Sequence, residues 1–118
     1  MREQKFDLEE RTFNFALNCR KAVKAIDLDI TTNSDCRQLI RSSGSVGANY
    51  IEANEALSRK DFIYRIKVCR KEVKESDYWL RLIQSSSESN YQNDIERLRE
   101  EAIQLIKIFS AIIRSSDK

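Results

Sequence analysis

The chain has 118 residues, 41% of them apolar and 34% charged, with a net charge of +2, no proline and no histidine; this describes one domain with a modest core and no overall basic character. Without histidine there is no Ser-His or Cys-His nucleophile pair, no Glu-x-x-His ligand set and no common zinc site. No apolar run approaches the ~20 residues of a membrane span, Met1–Lys5 is too polar for a signal peptide, and three distant cysteines suit reduced thiols in a cytoplasm.

The first helix is expected over about residues 7–26. Leu8, Phe15, Cys19, Ala22 and Ile26 fall within about 80° at 100° per residue, while Phe13 and Leu17 lie nearly opposite. A polar break follows at Asp29–Ser34. Thr32, Asn33 or Ser34 can cap a second helix over 35–56, whose stripe is Cys36, Leu39, Ile40, Ser43, Val46, Gly47, Tyr50, Asn54 and Leu57. Ser58-Arg59-Lys60-Asp61 reads as a capping box. It opens a third helix over 59–85, with Phe62, Ile66, Cys69, Val73, Ser76, Leu80 and Ile83 in near-heptad spacing. Ser85–Asn90 reads as a loop. The fourth helix is expected over 91–114, on a seam of Ile95, Leu98, Ala102, Leu105, Phe109 and Ile112. Four such helices with short connections predict an all-α, antiparallel up-down-up-down four-helix bundle filling residues 1–118.

More apolar surface is present than one bundle needs. Phe13 and Leu17 on helix 1, Val68, Trp79 and Leu82 on helix 3, and Ile103 and Ile106 on helix 4 form second faces. Apolar patches of this kind mark interfaces, so these residues are candidate contacts of a homo-oligomer.

Both glycines, Gly44 and Gly47, stand inside a helix, where each costs about 1 kcal/mol against alanine. Gly44-x-x-Gly47 lacks the preceding strand and following Gly-Lys-Ser/Thr of a phosphate loop. Close approach of a neighbouring helix is the favoured reading. Cys36 and Cys69 lie on core stripes, where cysteine acts as a small hydrophobe.

Two acidic pairs, Glu52-x-x-Glu55 and Glu72-x-x-Glu75, each share a helix face. Antiparallel neighbours could bring four carboxylates together for Mg²⁺ and nucleotide hydrolysis. The commoner fate is salt bridging, for example Glu75 with Lys71. The basic residues are better organised. Lys60, Lys67, Lys71, Lys74 and Arg81 fall within about 80° opposite the helix-3 seam, and residues 59–74 hold seven basic and two acidic side chains. Such a stripe either tracks a phosphate backbone or is simply a solvated face.

The run Ser43-Gly44-Ser45-Val46-Gly47-Ala48-Asn49-Tyr50-Ile51-Glu52-Ala53 resembles the signature of the bacterial four-helix bundle family, also called the 23S rRNA intervening-sequence protein family. Ser58–Phe62, Lys71–Leu80 and the weaker Phe6-Asp7-Leu8 extend the likeness. The resemblance implies a ring-shaped homo-oligomer, typically a homopentamer, and relatives that bind nucleic acid or a nucleoprotein. It implies no catalytic residue, metal or cofactor. The family's recurrent positions match Gly47, Asn49, Glu52, Glu72, Glu75 and Trp79. We read Asn49 and Glu52 as a polar pair fixing helix register, and Trp79 as an interface anchor. The expectation is therefore a non-enzymatic ring that presents the helix-3 stripe to RNA, DNA or a nucleoprotein. A protein-binding scaffold without nucleic acid, or the Mg²⁺-dependent hydrolase using Glu52, Glu55, Glu72 and Glu75, are the alternatives.

Overall fold

The computed structural model describes residues 2–86 and 91–116, with side chains from Leu8 onward, so the side chains of Phe6 and Asp7 in the family-like start, and Ser87–Asn90 of the expected loop, lie outside what is described. Four helices follow one another: α1 (Arg2–Lys24), α2 (Ile30–Asn54), α3 (Arg59–Ser86) and α4 (Gln92–Ser116). No strand occurs among the described residues, and no described helix is long and apolar enough to cross a membrane. The particle is a rod of 45 × 23 × 19 Å.

Cross-helix contacts fix the topology. Gly47 of α2 lies against Thr12 of α1, while Asn54 bonds Glu9 and Ile40 bonds Arg20. Between α2 and α3, Arg65 bonds Asn49, Cys69 bonds the Val46 carbonyl and Ser76 bonds Ser42. Between α3 and α4, Arg70 bonds Ser110, Asp77 bonds Arg99 and Gln84 bonds Glu96. In each pair one number rises as the other falls, so consecutive helices run antiparallel. Arg11 and Glu101 close the circuit from α1 to α4 with two bonds of 3.0 and 2.7 Å.

Each helix buries most of its expected stripe, though on α4 Ile113 is buried in place of Ile112, which is only partly covered. Phe15, Leu39, Val46, Ile66, Leu80, Leu105 and Phe109 are almost fully buried in one core. Tyr50 joins them with its ring 6.2 Å from Phe109. Ser42 and Ser76 are fully buried and bonded to each other at 2.8 Å; their small side chains let α2 and α3 meet closely without an unpaired hydroxyl.

Helix ends differ from the sequence expectation, most of all at α2. It starts at Ile30 rather than 35, because Asp29 is the N-cap and accepts from the Thr32 amide at 2.8 Å. That carboxylate satisfies one orphan amide of the first turn, and Thr32, Asn33 and Ser34, expected as caps, lie inside the helix instead. The same helix stops at Asn54 rather than 56, with Glu55 as C-cap. Leu57 therefore leaves the expected stripe and is 98% exposed in the turn. Ser58 caps α3 as its box predicts, accepting from the Asp61 amide at 3.0 Å. α1 begins at Arg2 rather than 7 and ends at Lys24 rather than 26; α3 and α4 run to Ser86 and Ser116.

Candidate nucleic-acid interface

The seam of α3 faces the core through Ile66, Cys69, Val73, Ser76, Leu80 and Ile83. On the opposite side Lys60, Lys67, Lys71, Lys74 and Arg81 are all exposed. None of the five makes an ion pair or hydrogen bond with a described residue. Four arginines elsewhere do pair with acids: Arg11 with Glu101, Arg41 with Glu72 and Glu75, Arg97 with Asp94, and Arg99 with Asp77. Those pairs also occupy three of the four acids of α3. Glu75 still exerts a field on Lys71, but Lys71 is not the partner the one-turn spacing suggests. Arg41 takes that place because antiparallel packing sets α2 beside this turn of α3. From Lys60 to Arg81 the free cations extend over about 30 Å of helix.

Two aromatic rings stand among these cations. Tyr64 is 60% and Tyr78 54% exposed. The Arg65 guanidinium lies 5.7 Å from the Tyr64 ring centre, and Tyr78 meets Trp79 edge-on at 5.1 Å. Sequence reasoning singled out neither tyrosine. The signal was available, since at 100° per residue Tyr78 lies in line with Lys60 and Tyr64 within about 20° of Lys71.

The polar residues expected to set register do not form the expected Asn49–Glu52 pair. Asn49 donates to the Ser45 carbonyl at 2.9 Å and accepts from Arg65 at 3.0 Å, whereas Glu52 is exposed. Glu72 is buried and takes Arg41 at 3.5 Å. Glu75 accepts from Arg41 and from the Trp79 indole at 3.2 Å. Partial burial raises the Glu75 carboxyl, but the indole and guanidinium outweigh it and hold the pKa below the ordinary 4.5. Trp79, expected as an interface anchor, is thus half-buried in its own subunit and tied to Glu75.

The four glutamates of the hydrolase alternative do not converge. Asn49 already stands opposite Arg65, so Glu52 and Glu55 lie beside the start of α3, well before Glu72 and Glu75. No group of three or more described His, Cys, Asp or Glu side chains could hold a metal ion. The thiols offer no nucleophile either. Burial pushes Cys19 and Cys69 up to about 12 and Cys36 to about 11.

The second apolar faces separate into two kinds. Val68, Leu82 and Ile106 are half-buried. Phe13 is 60% and Ile103 43% exposed. Phe13 and Leu17 line a groove of about 680 Å³ between α1 and α2, together with Ala48, Ile51 and the two glycines. A Cβ on Gly47 would stand 3.2 Å from Thr12 Oγ1, and one on Gly44 3.1 Å from Arg20 Nη2. The glycines thus permit both the α1–α2 contact and the depth of the groove. Arg20 lies along its wall, donating to the Ala16 and Ile40 carbonyls and to Ser43.

Residues 4–111 match the 23S rRNA-intervening sequence protein family. The chain belongs to that family. A crystal structure of a protein of unknown function from the S23 ribosomal protein family of Bacteroides thetaiotaomicron is similar, with 28% identity and a TM-score of 0.74 over 89% of this chain and 96% of that one. No protein of curated function matches. The likeness to that solved structure covers the four-helix fold, and the role of the α3 cations is left to be argued from their own chemistry.

Proposed function

We propose that this protein is a non-enzymatic, self-assembling helical bundle that presents the α3 face to nucleic acid. The observation that carries this reading is the row Lys60, Lys67, Lys71, Lys74 and Arg81, exposed and without an acidic partner among the described residues, whereas Arg11, Arg41, Arg97 and Arg99 are each paired with an acid. Free cations in a row displace counterions from a phosphate backbone and gain affinity that falls with salt. Tyr64 and Tyr78 add flat apolar rings on which unstacked bases can lie, a contact worth about 1–3 kcal/mol per base. Repetition of the face in a ring of identical subunits turns weak single contacts into avidity. The name of the family, 23S rRNA-intervening sequence protein, is consistent with an RNA partner.

Retention of a labelled RNA on the purified protein tests the proposal. Affinity should fall steeply between low and physiological salt. Lys67→Glu with Lys71→Glu should lower it at least tenfold and flatten the salt slope. No salt-sensitive retention of RNA or DNA sets the nucleic-acid reading aside and leaves the protein-binding scaffold.

A further inference from the structure

The exposed face of α3 is built from two columns with a seven-residue period. Lys60, Lys67, Lys74 and Arg81 form one, and Tyr64, Lys71 and Tyr78 the other; every side chain in both columns is exposed. Seven residues return a helix to within about 20° of its starting direction and advance it by about 10 Å. Along the row each ring is therefore bracketed by cations, Tyr64 by Lys60 and Lys67, and Tyr78 by Lys74 and Arg81. Lys71 stands midway between the two rings, which are about 21 Å apart along the axis. Three of the four acids of α3 are drawn off by cations of other helices, Glu72 and Glu75 by Arg41 and Asp77 by Arg99. Arg65 lies near the Tyr64 ring and Trp79 meets Tyr78 edge-on. Both rings are thus partly ordered before a ligand arrives, which lowers the cost of ordering them on binding.

This arrangement separates the two forms of nucleic acid. In a duplex each base is covered by its neighbours, and the A-form major groove is too deep and narrow for side chains to read. The cations still meet phosphates there, but the rings find no open base. In a single strand the bases are free to stack on aromatic rings while the backbone between them follows the positive charge. The row from Lys60 to Arg81 is about 30 Å long. That leaves room for about five nucleotides of extended strand, within the ~4–16 that single-strand sites cover.

We infer that the α3 face takes single-stranded nucleic acid and disfavours duplex, with one base stacked on Tyr64, another on Tyr78, and the backbone between them on Lys67, Lys71 and Lys74. The inference rests on the nucleic-acid half of the proposed function and names the form of nucleic acid that the face binds. Charge holds the strand at any sequence, and the two rings supply the preference for open bases.

Fluorescence anisotropy tests it with an unstructured, labelled RNA strand of about ten nucleotides, enough to cover one such site, and with the same strand annealed to its complement in the same salt. The single strand should bind at least tenfold tighter than the duplex. Its affinity should fall with salt at a slope near −3.5, from five phosphate contacts at about 0.7 each. Tyr64→Ala with Tyr78→Ala should bring the single strand down toward the duplex and leave the duplex unchanged. Both tyrosines are exposed, and unchanged helicity by circular dichroism checks that the variant folds. Equal, salt-sensitive binding of both forms overturns the single-strand inference and leaves the nucleic-acid reading standing. So does a tyrosine double variant that loses both forms alike, or neither. Salt-insensitive or absent binding of both forms overturns the nucleic-acid reading itself.

Discussion

Gly44 and Gly47 have the same spacing cue and opposite tolerances. Both sit in the α2 interior, where alanine gains about 1 kcal/mol of helix propensity over glycine. At Gly47 the added carbon meets Thr12 Oγ1 at 3.2 Å and Cβ at 3.5 Å. Thr12 is buried and fixed by a 2.8 Å bond to the Leu8 carbonyl, so it yields little. Gly47→Leu should lower stability by about 2 kcal/mol or more through overpacking, read as a lower urea midpoint. At Gly44 the nearest atom is the tip of Arg20, a flexible side chain that can move aside. Gly44→Ala should be neutral or raise the midpoint; a loss as large as that of Gly47→Leu would contradict the account. The cysteines follow from burial alone. With thiol pKa values of about 12, 11 and 12 at Cys19, Cys36 and Cys69, thiolate is scarce at pH 8. A disulfide reagent should label the native chain far more slowly than the urea-unfolded one.

Element boundaries and partners were legible in unequal measure. The α3 seam was readable because Ile66, Cys69, Val73, Ser76, Leu80 and Ile83 keep a three-four spacing that only a helix satisfies. The start of α2 was not, because Asp29, Thr32, Asn33 and Ser34 are all competent caps and the choice depends on which carboxylate or hydroxyl reaches an amide first. The Arg41–Glu75 pair was invisible for a further reason: it needs the register of α2 against α3, which the turn after Asn54 sets. That pair has a consequence with a definite sign. Glu75 has a folded pKa below the ordinary 4.5. Its contribution is therefore present above about pH 4.5 and lost as pH falls through the folded value. Arg41→Ala should raise the Glu75 pKa toward its ordinary value, followed by carbon-detected NMR titration, and should shrink the acid-induced loss of stability. An unchanged Glu75 titration would show that the Trp79 indole, not the guanidinium, governs it.

At the scale of the molecule, one bundle explains the core but leaves three features of its surface unused. These are the groove between α1 and α2, the face of α4 around Ile103, and the free cations of α3. Phe13 and Leu17 in the groove and Ile103 on α4 were legible as apolar excess, whereas Ile106 packs half-buried against the core. Tyr64 and Tyr78 were missed because an exposed ring on a charged face breaks no amphipathic pattern. They carry a prediction of their own: Tyr64→Ala with Tyr78→Ala should weaken single-stranded RNA several-fold while keeping the salt slope, and the Phe replacements should restore binding. An RNA affinity indifferent to both rings would remove stacking and leave charge alone. The claim on which assembly and avidity both depend is that copies associate. Sedimentation equilibrium of the untagged chain at micromolar concentration measures this directly. The account predicts a mass that is a whole-number multiple, above two, of the 13.8 kDa chain, and a mass equal to one chain would contradict it.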